Sequence, residues 1–107
     1  MRVYKDHFDR PFKRGDWVLY AQAIYRSASI RVARVKGFYL VNGLKVTEVA
    51  PTDRWDHPTQ KYISAGMKIW NCAFKVPENC VIIDPNTLPL EYIEAYKDWK
   101  PDPEPEE

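Results

Sequence analysis

The residues that decide the fold read Phe12-Lys-Arg-Gly-Asp-Trp-Val-Leu-Tyr-Ala21. Arg14-Gly15-Asp16 is typical of a turn, because Gly tolerates positive φ and Asp can hydrogen-bond its own backbone just ahead of a strand. The run Trp17–Ala21 favours a β-strand and is predicted to be the first strand of a small sheet. Both faces of this strand are apolar, so it needs cover on both sides.

Four further strands are predicted to lie against the first. They are Ile30–Tyr39, Leu44–Ala50, Lys68–Val76 and Cys80–Asp84. The apolar residues of the second strand switch from even to odd positions between Val32 and Val35, which predicts a bulge near Ala33-Arg34. Asn42-Gly43 is the pair preferred in a type I′ hairpin turn. Pro51 is predicted to end the third strand, and Pro77-Glu78-Asn79 to form a single 3₁₀ turn.

The remaining segments are predicted to be a long loop, a helix and two ends. Thr52–Gly66 is predicted to be the longest irregular segment, and loops of this length often have a function. Leu88–Trp99 has helical spacing of Tyr92, Tyr96 and Trp99, with Asn86 or Thr87 as the N-cap. The predicted division is an N-terminal arm over 1–11, a barrel over 12–84, a helix over 85–100, and a disordered, acidic, Pro-rich tail over 101–107.

The order of these features resembles an SH3-like barrel over residues 12–84. The likeness is carried by the Gly-Asp-x-Val turn and strand, the tight hairpin, and the strand, 3₁₀ turn and strand of residues 68–84. More narrowly, Gly15–Ala21 followed by Ile30–Val35 resembles small uncharacterised proteins of bacteriophages, especially phages of actinobacteria. The resemblance implies a five-stranded SH3-like barrel with a short C-terminal helix, and a phage accessory protein. It does not imply binding of Pro-rich peptides, because Gln22–Ser29 lacks the acidic residues of the first loop in peptide-binding SH3 domains.

Composition predicts one small domain without a membrane span. The 107 residues leave little room for a second core. The chain has no apolar run of about 18 residues and no apolar N-terminal stretch of a signal peptide, so a cytoplasmic location is expected, in the host cell if the protein is phage-encoded. Cys72 and Cys80 are expected to be free thiols of a reducing compartment.

The sequence contains no catalytic or metal-binding signature. Cys72 and Cys80 are the candidate nucleophiles, but His7 and His57 are the only histidine bases and lie far away in sequence. The spacing of these four residues matches no zinc motif, and the four Gly residues are isolated, so no phosphate-binding loop is present. We therefore expect no enzyme activity, no metal and no cofactor.

The charge of the chain is unevenly distributed. Residues 1–83 carry 14 Lys and Arg against 7 Asp and Glu, whereas residues 84–107 carry 2 against 8. Every charged residue between Trp17 and Thr47 is basic, and these are the candidate nucleic-acid contacts: Arg26, Arg31, Arg34, Lys36 and Lys45. The alternative is an ordinary solvated basic face, and the acidic tail can compete for it.

A protein partner is the first choice for function, with nucleic acid as the alternative. Trp55, His57 and Tyr62 mix aromatic rings with charges in the long segment, which is typical of interface anchors. Trp17 is a further candidate, because its face of the first strand needs a cover. The alternative for Trp55 and Tyr62 is that they fold back and plug the barrel. The Tyr92–Tyr96–Trp99 stripe is expected to be an intramolecular lid, with a docking helix as the alternative. The sequence does not predict the oligomeric state.

Overall fold

The fold is mainly β, with five strands and one short helix. The computed structural model describes residues 4–24, 27–39, 43–72 and 76–103. The elements are β1 (Trp17–Ile24), β2 (Ser27–Phe38), β3 (Leu44–Asp56), β4 (Lys61–Cys72), β5 (Cys80–Ile83) and α1 (Leu90–Glu94). All neighbouring strands are antiparallel and form one open sheet with the order β4-β3-β2-β1-β5. The mainly β class and the five predicted strands are confirmed. Arg26 and the predicted turn residue Asn42 lie outside the described residues.

The turn before β1 is held to β2 by backbone hydrogen bonds. Gly15 has φ +92°, which explains why Gly occupies this position. The Gly15 N–H donates to the Val35 carbonyl at 2.8 Å, and the Val35 N–H donates to the Asp16 carbonyl at the same distance. The Asp16 carboxylate accepts from the Lys13 N–H at 2.7 Å and closes the turn. The predicted turn is therefore confirmed.

The two faces of the sheet have different cover. One face carries an inner core of alternating strand residues, closed by Phe12, which directly follows the N-terminal arm: Phe12, Val18, Tyr20, Ala33, Val35, Leu44, Val46 and Cys80. The other face carries a smaller cluster formed by Trp17, Val49 and Tyr96, against which residues of β4 and the C-terminal segment pack. The predicted need for cover on both faces of β1 is thus met within the chain.

The predicted loop Thr52–Gly66 is wrong, because these residues continue β3 and β4 as a long hairpin. Pairing runs from Pro51↔Met67 out to Asp56↔Lys61, with turn residues 57–60 at the tip. Pro51 does not end β3. Since β2 pairs with β3 only as far as Val49, one side of β3 has no strand neighbour at Pro51, and a missing N–H is tolerated there.

The bulge in β2 lies later than predicted. Ala33 and Arg34 pair regularly with Glu48 and Thr47, and the register shifts between Val35 and Gly37. Lys36 is therefore the extra residue. The displacement keeps Val35 buried in the inner core while the chain changes direction.

The helix is shorter than the predicted Leu88–Trp99. Pro85–Thr87 is a separate 3₁₀ turn capped by the Asp84 side chain, and α1 begins after Pro89, so the predicted N-cap was wrong. Beyond α1, Tyr96, Lys97 and Trp99 each donate an N–H to the carbonyl three residues earlier. This tighter winding brings Tyr96 and Trp99 onto the sheet together. Within the described ranges, no helix has the length and apolar character needed to cross a membrane.

The N-terminal arm covers the outer edge of β5 through Asp6. The Asp6 carboxylate is fully buried and accepts from the Ile82, Arg10 and Phe8 N–H groups and from the Arg10 guanidinium. Burial raises the pKa of Asp6, but these hydrogen bonds outweigh it and lower the pKa from 3.8 to about 2. The ionised carboxylate therefore ties the arm to the sheet edge.

We predict that Asp6→Asn destabilises the fold in a pH-dependent way. Because the pKa of Asp6 is lowered on folding, its contribution of about 2 kcal/mol is present above pH 3.8 and is lost as the pH falls toward 2. Urea unfolding at neutral pH and at pH 2 measures it, and the gap between wild type and variant should shrink on acidification. Asp9→Asn, at an exposed carboxylate, is the control with little expected effect. A gap that is equal at both pH values would contradict the assignment.

Candidate binding surfaces

The tip of the β3–β4 hairpin presents an aromatic cluster formed by Trp55, His57 and Tyr62. Trp55 and Tyr62 are cross-strand partners with ring centroids 5.1 Å apart, and the His57 ring lies 6.4 Å from Trp55. Trp55 is 41% exposed and Tyr62 is 70% exposed. The alternative that these rings plug the core is wrong, because both are exposed and neither belongs to a core cluster. The structure thus brings together the three candidates that the sequence singled out in this segment.

Hydrogen bonds at the turn support the position of the cluster. The Gln60 side-chain amide donates to the His57 carbonyl at 3.2 Å, and the Thr59 hydroxyl donates to the Asp56 carboxylate. Gln60 has φ +55°, a value that a tight turn at this position requires. Paired strands and a bonded turn hold the rings in place without contact to the core.

Trp17, the fourth candidate for a protein contact, is buried and 6% exposed. The Tyr96 ring meets it edge-on with centroids 4.8 Å apart, and Trp99 meets Tyr96 in the same manner at 5.5 Å. The C-terminal segment is therefore an intramolecular lid, as its aromatic stripe predicted. Trp17 is not available to a partner.

Arg34 lies among these rings and is not free to contact a phosphate. Its guanidinium carbon is 4.9 Å from the Trp17 centroid, 4.7 Å from Trp99 and 5.5 Å from Tyr96. Its Nε and Nη2 both donate to the Gly15 carbonyl, at 3.1 and 2.9 Å. Burial lowers the pKa of Arg34, and the nearby groups Tyr96 and Asp16 oppose this.

Thr47 anchors the lid from below. It is buried, and its hydroxyl accepts from the Trp99 indole N–H at 2.9 Å and donates to the Asn71 side-chain oxygen at 2.8 Å. Its carbonyl accepts from the Tyr96 hydroxyl. Burial raises the pKa of Tyr96, which keeps the phenol neutral and able to donate.

Lys36 and Lys45 are brought together by an acidic residue of the C-terminal segment. The Asp102 carboxylate lies 3.9 Å from the Lys36 Nζ and 3.7 Å from the Lys45 Nζ. Two adjoining grooves meet at Lys36 and Asn71: one of about 550 Å³ beside the lid, and one of about 290 Å³ beside Tyr39 and Lys45. Lys97 and Lys100 line the larger groove, so its rim is mainly basic.

Arg31 lies apart from this basic region. Arg31 lies on β2, pairs with Tyr20 of β1, and shares strand parity with Ala33 and Val35, which are buried in the inner core. Arg34 is on the opposite face. Arg26 lies outside the described residues, and of the other four predicted nucleic-acid contacts the structure brings together only Lys36 and Lys45.

The described residues contain no group of three His, Cys, Asp or Glu side chains that could hold a metal ion. Cys80 is buried in the inner core, and Cys72 is half-buried and packs against that core.

Sequence reasoning missed Gly37, Asn71 and Asp102 at these grooves. An isolated Gly and an amide on a strand carry no distinct signal. Asp102 was noticed only through the charge of its tail. Its alternation with Pro101 and Pro103, which favours an extended backbone, is the signal that could have indicated a docked segment.

Comparisons with family models, with curated proteins and with solved structures found no match to this chain.

We predict that Arg34→Lys loosens the lid. A lysine ammonium cannot lie flat against three rings while donating two hydrogen bonds to Gly15, so the expected loss in the free energy of unfolding is about 1–3 kcal/mol. Near-ultraviolet circular dichroism should show a weaker tryptophan signal, and urea unfolding gives the loss. Arg54→Lys, on the exposed hairpin, is the matched control and should stay within about 0.5 kcal/mol of wild type. Equal stability of the two variants would contradict the role assigned to Arg34.

Proposed function

We propose that this protein is a small non-catalytic binding module that contacts a protein partner through the aromatic cluster at its hairpin tip. The observation that carries the proposal is the exposure of Trp55 and Tyr62 on a paired hairpin outside both cores. Tryptophan and tyrosine dominate the energy of protein interfaces, and exposed aromatic groups of this kind mark interaction sites.

The hairpin suits recognition because its rings are already arranged. Trp55 and Tyr62 lose little freedom on binding, since each restrains the other and both have few rotatable bonds. Asp53, Arg54, Asp56 and Lys61 flank the rings with charges of both signs. An apolar centre with a polar rim is the usual anatomy of a protein interface.

An SH3-like barrel fold and a bacteriophage origin are part of the same proposal. The strand order β4-β3-β2-β1-β5 and the 3₁₀ turn Pro77–Asn79 between β4 and β5 support an SH3-like barrel whose β3–β4 hairpin is elongated. The resemblance of residues 15–35 to small phage proteins supports a phage accessory role in the host cytoplasm.

Nucleic-acid binding is the second candidate, supported by the basic groove rim of Lys36, Lys45, Lys97 and Lys100. Phosphate contacts of this kind would weaken steeply with added salt. Asp102 between Lys36 and Lys45, and the engagement of Arg34 in the lid, favour the protein partner instead.

We predict that Trp55→Ala/Tyr62→Ala abolishes capture of the partner and leaves the fold intact. The two rings lie outside both cores, so the melting temperature should change by only a few degrees. The measurement is a pull-down from bacterial lysate with the immobilised full chain, read by mass spectrometry against the variant.

Phe8→Ala is the matched control, because Phe8 is an exposed aromatic residue on the N-terminal arm. A protein captured by wild type and Phe8→Ala but lost from the double variant supports the proposal. Equal capture by all three, or a large fall in melting temperature for the double variant alone, would overturn it. A DNA mobility shift at low salt that is lost in Lys36→Gln/Lys45→Gln would favour the second candidate.

A further inference from the structure

A site of charged contacts lies near the start of β3, away from the hairpin tip. Lys45 and Trp55 are ten positions apart on β3, a separation of roughly 30 Å along a strand. The site is formed by Lys36, Gly37 and Lys45, and Asp102 of the chain itself occupies it.

The bulge supplies the main-chain part of this site. Because Lys36 has no partner residue on β3, its carbonyl is available outside the ladder, and it accepts from the Asp102 N–H at 2.8 Å. The two lysine ammonium groups pair with the carboxylate of the same residue, Lys36 with Oδ1 at 3.9 Å and Lys45 with Oδ2 at 3.7 Å. One residue thus makes both a backbone and a side-chain contact.

Gly37 lies directly against the Asp102 carboxylate. A Cβ at this position would lie 2.8 Å from the Asp102 Oδ2, which is closer than atoms pack. The absence of a side chain at Gly37 is therefore what lets a carboxylate reach Lys36 and Lys45 together.

These contacts select a peptide over a phosphate. The Lys36 carbonyl needs a donor, and a peptide N–H is one, whereas a phosphodiester offers only acceptors. Pro101 and Pro103 hold the segment extended on each side of Asp102, since a residue before proline avoids helical geometry.

We propose that Lys36, Gly37 and Lys45 form a carboxylate site for an extended acidic peptide of a partner protein. Asp102 occupies this site within the chain and competes with the partner. The contacts of Asp102 are two partly exposed ion pairs and one hydrogen bond, so the competitor is weak enough to be displaced.

The test uses a fluorescein-labelled peptide with the sequence of residues 100–107 and the full-length protein. Fluorescence anisotropy at low salt should give Asp102→Ala an affinity about three- to tenfold higher than wild type, because the competing carboxylate is gone. Glu94→Ala removes an exposed acid of α1 and is the charge-matched control, with no gain expected.

Gly37→Ala, added to Asp102→Ala, separates a shaped site from a diffuse basic face. It keeps both lysines and the net charge, and without the Asp102 carboxylate the new methyl has room, so melting temperatures should agree. Loss of peptide binding in this double variant supports the proposal. Equal peptide binding with and without the Gly37 methyl, or no gain on Asp102→Ala, would overturn it. A labelled oligothymidine that gains affinity in Asp102→Ala and keeps it in the double variant would overturn it in favour of nucleic acid.

Discussion

The rest of the structure depends on the contacts of the Arg34 guanidinium with three aromatic rings. The guanidinium lies against the rings of Trp17, Tyr96 and Trp99 and donates twice to the Gly15 carbonyl. In this way one side chain of β2 joins the turn before β1, the outer face of the sheet and the C-terminal lid. A cation held against aromatic faces away from water interacts more strongly than an exposed pair does. Without it, Trp17 would lose its cationic partner, and the lid would be held to the sheet less firmly.

The lid decides which surfaces remain for other molecules. Once Tyr96 and Trp99 bond Thr47, the outer face near Trp17 and Val49 is closed. The segment that follows then runs past Lys36 and Lys45 and places Asp102 between them. In the part of the chain that the structure describes, an aromatic surface at the hairpin tip and a basic surface near the start of β3 stay exposed.

Local patterns predicted much of the fold. Five strands, the Gly15 turn, the 3₁₀ turn Pro77–Asn79 and the intramolecular lid were all read from composition and spacing. The hairpin of residues 52–66 was missed because its mixed polar residues and Pro51 hide the alternation of apolar and polar residues that marks a strand. This part of β3 pairs with β4 alone. The helix was predicted too long because Tyr92, Tyr96 and Trp99 fit helical spacing equally well when the last turn tightens.

The sequence by itself determined that the chain is mainly β, that one end is acidic and that residues 17–47 are basic. It also placed Trp55, His57 and Tyr62 in one segment. Only the tertiary structure decided what those side chains do. The five basic residues look alike in the sequence but have different surroundings. Arg34 lies among aromatic rings, and Arg31 lies on the inner face of the sheet. Asp102 pairs with both Lys36 and Lys45, and Arg26 lies outside the described residues. The reason is that strand parity, a one-residue bulge and the returning C-terminal segment set the surroundings of each charge, and these depend on contacts far apart in sequence.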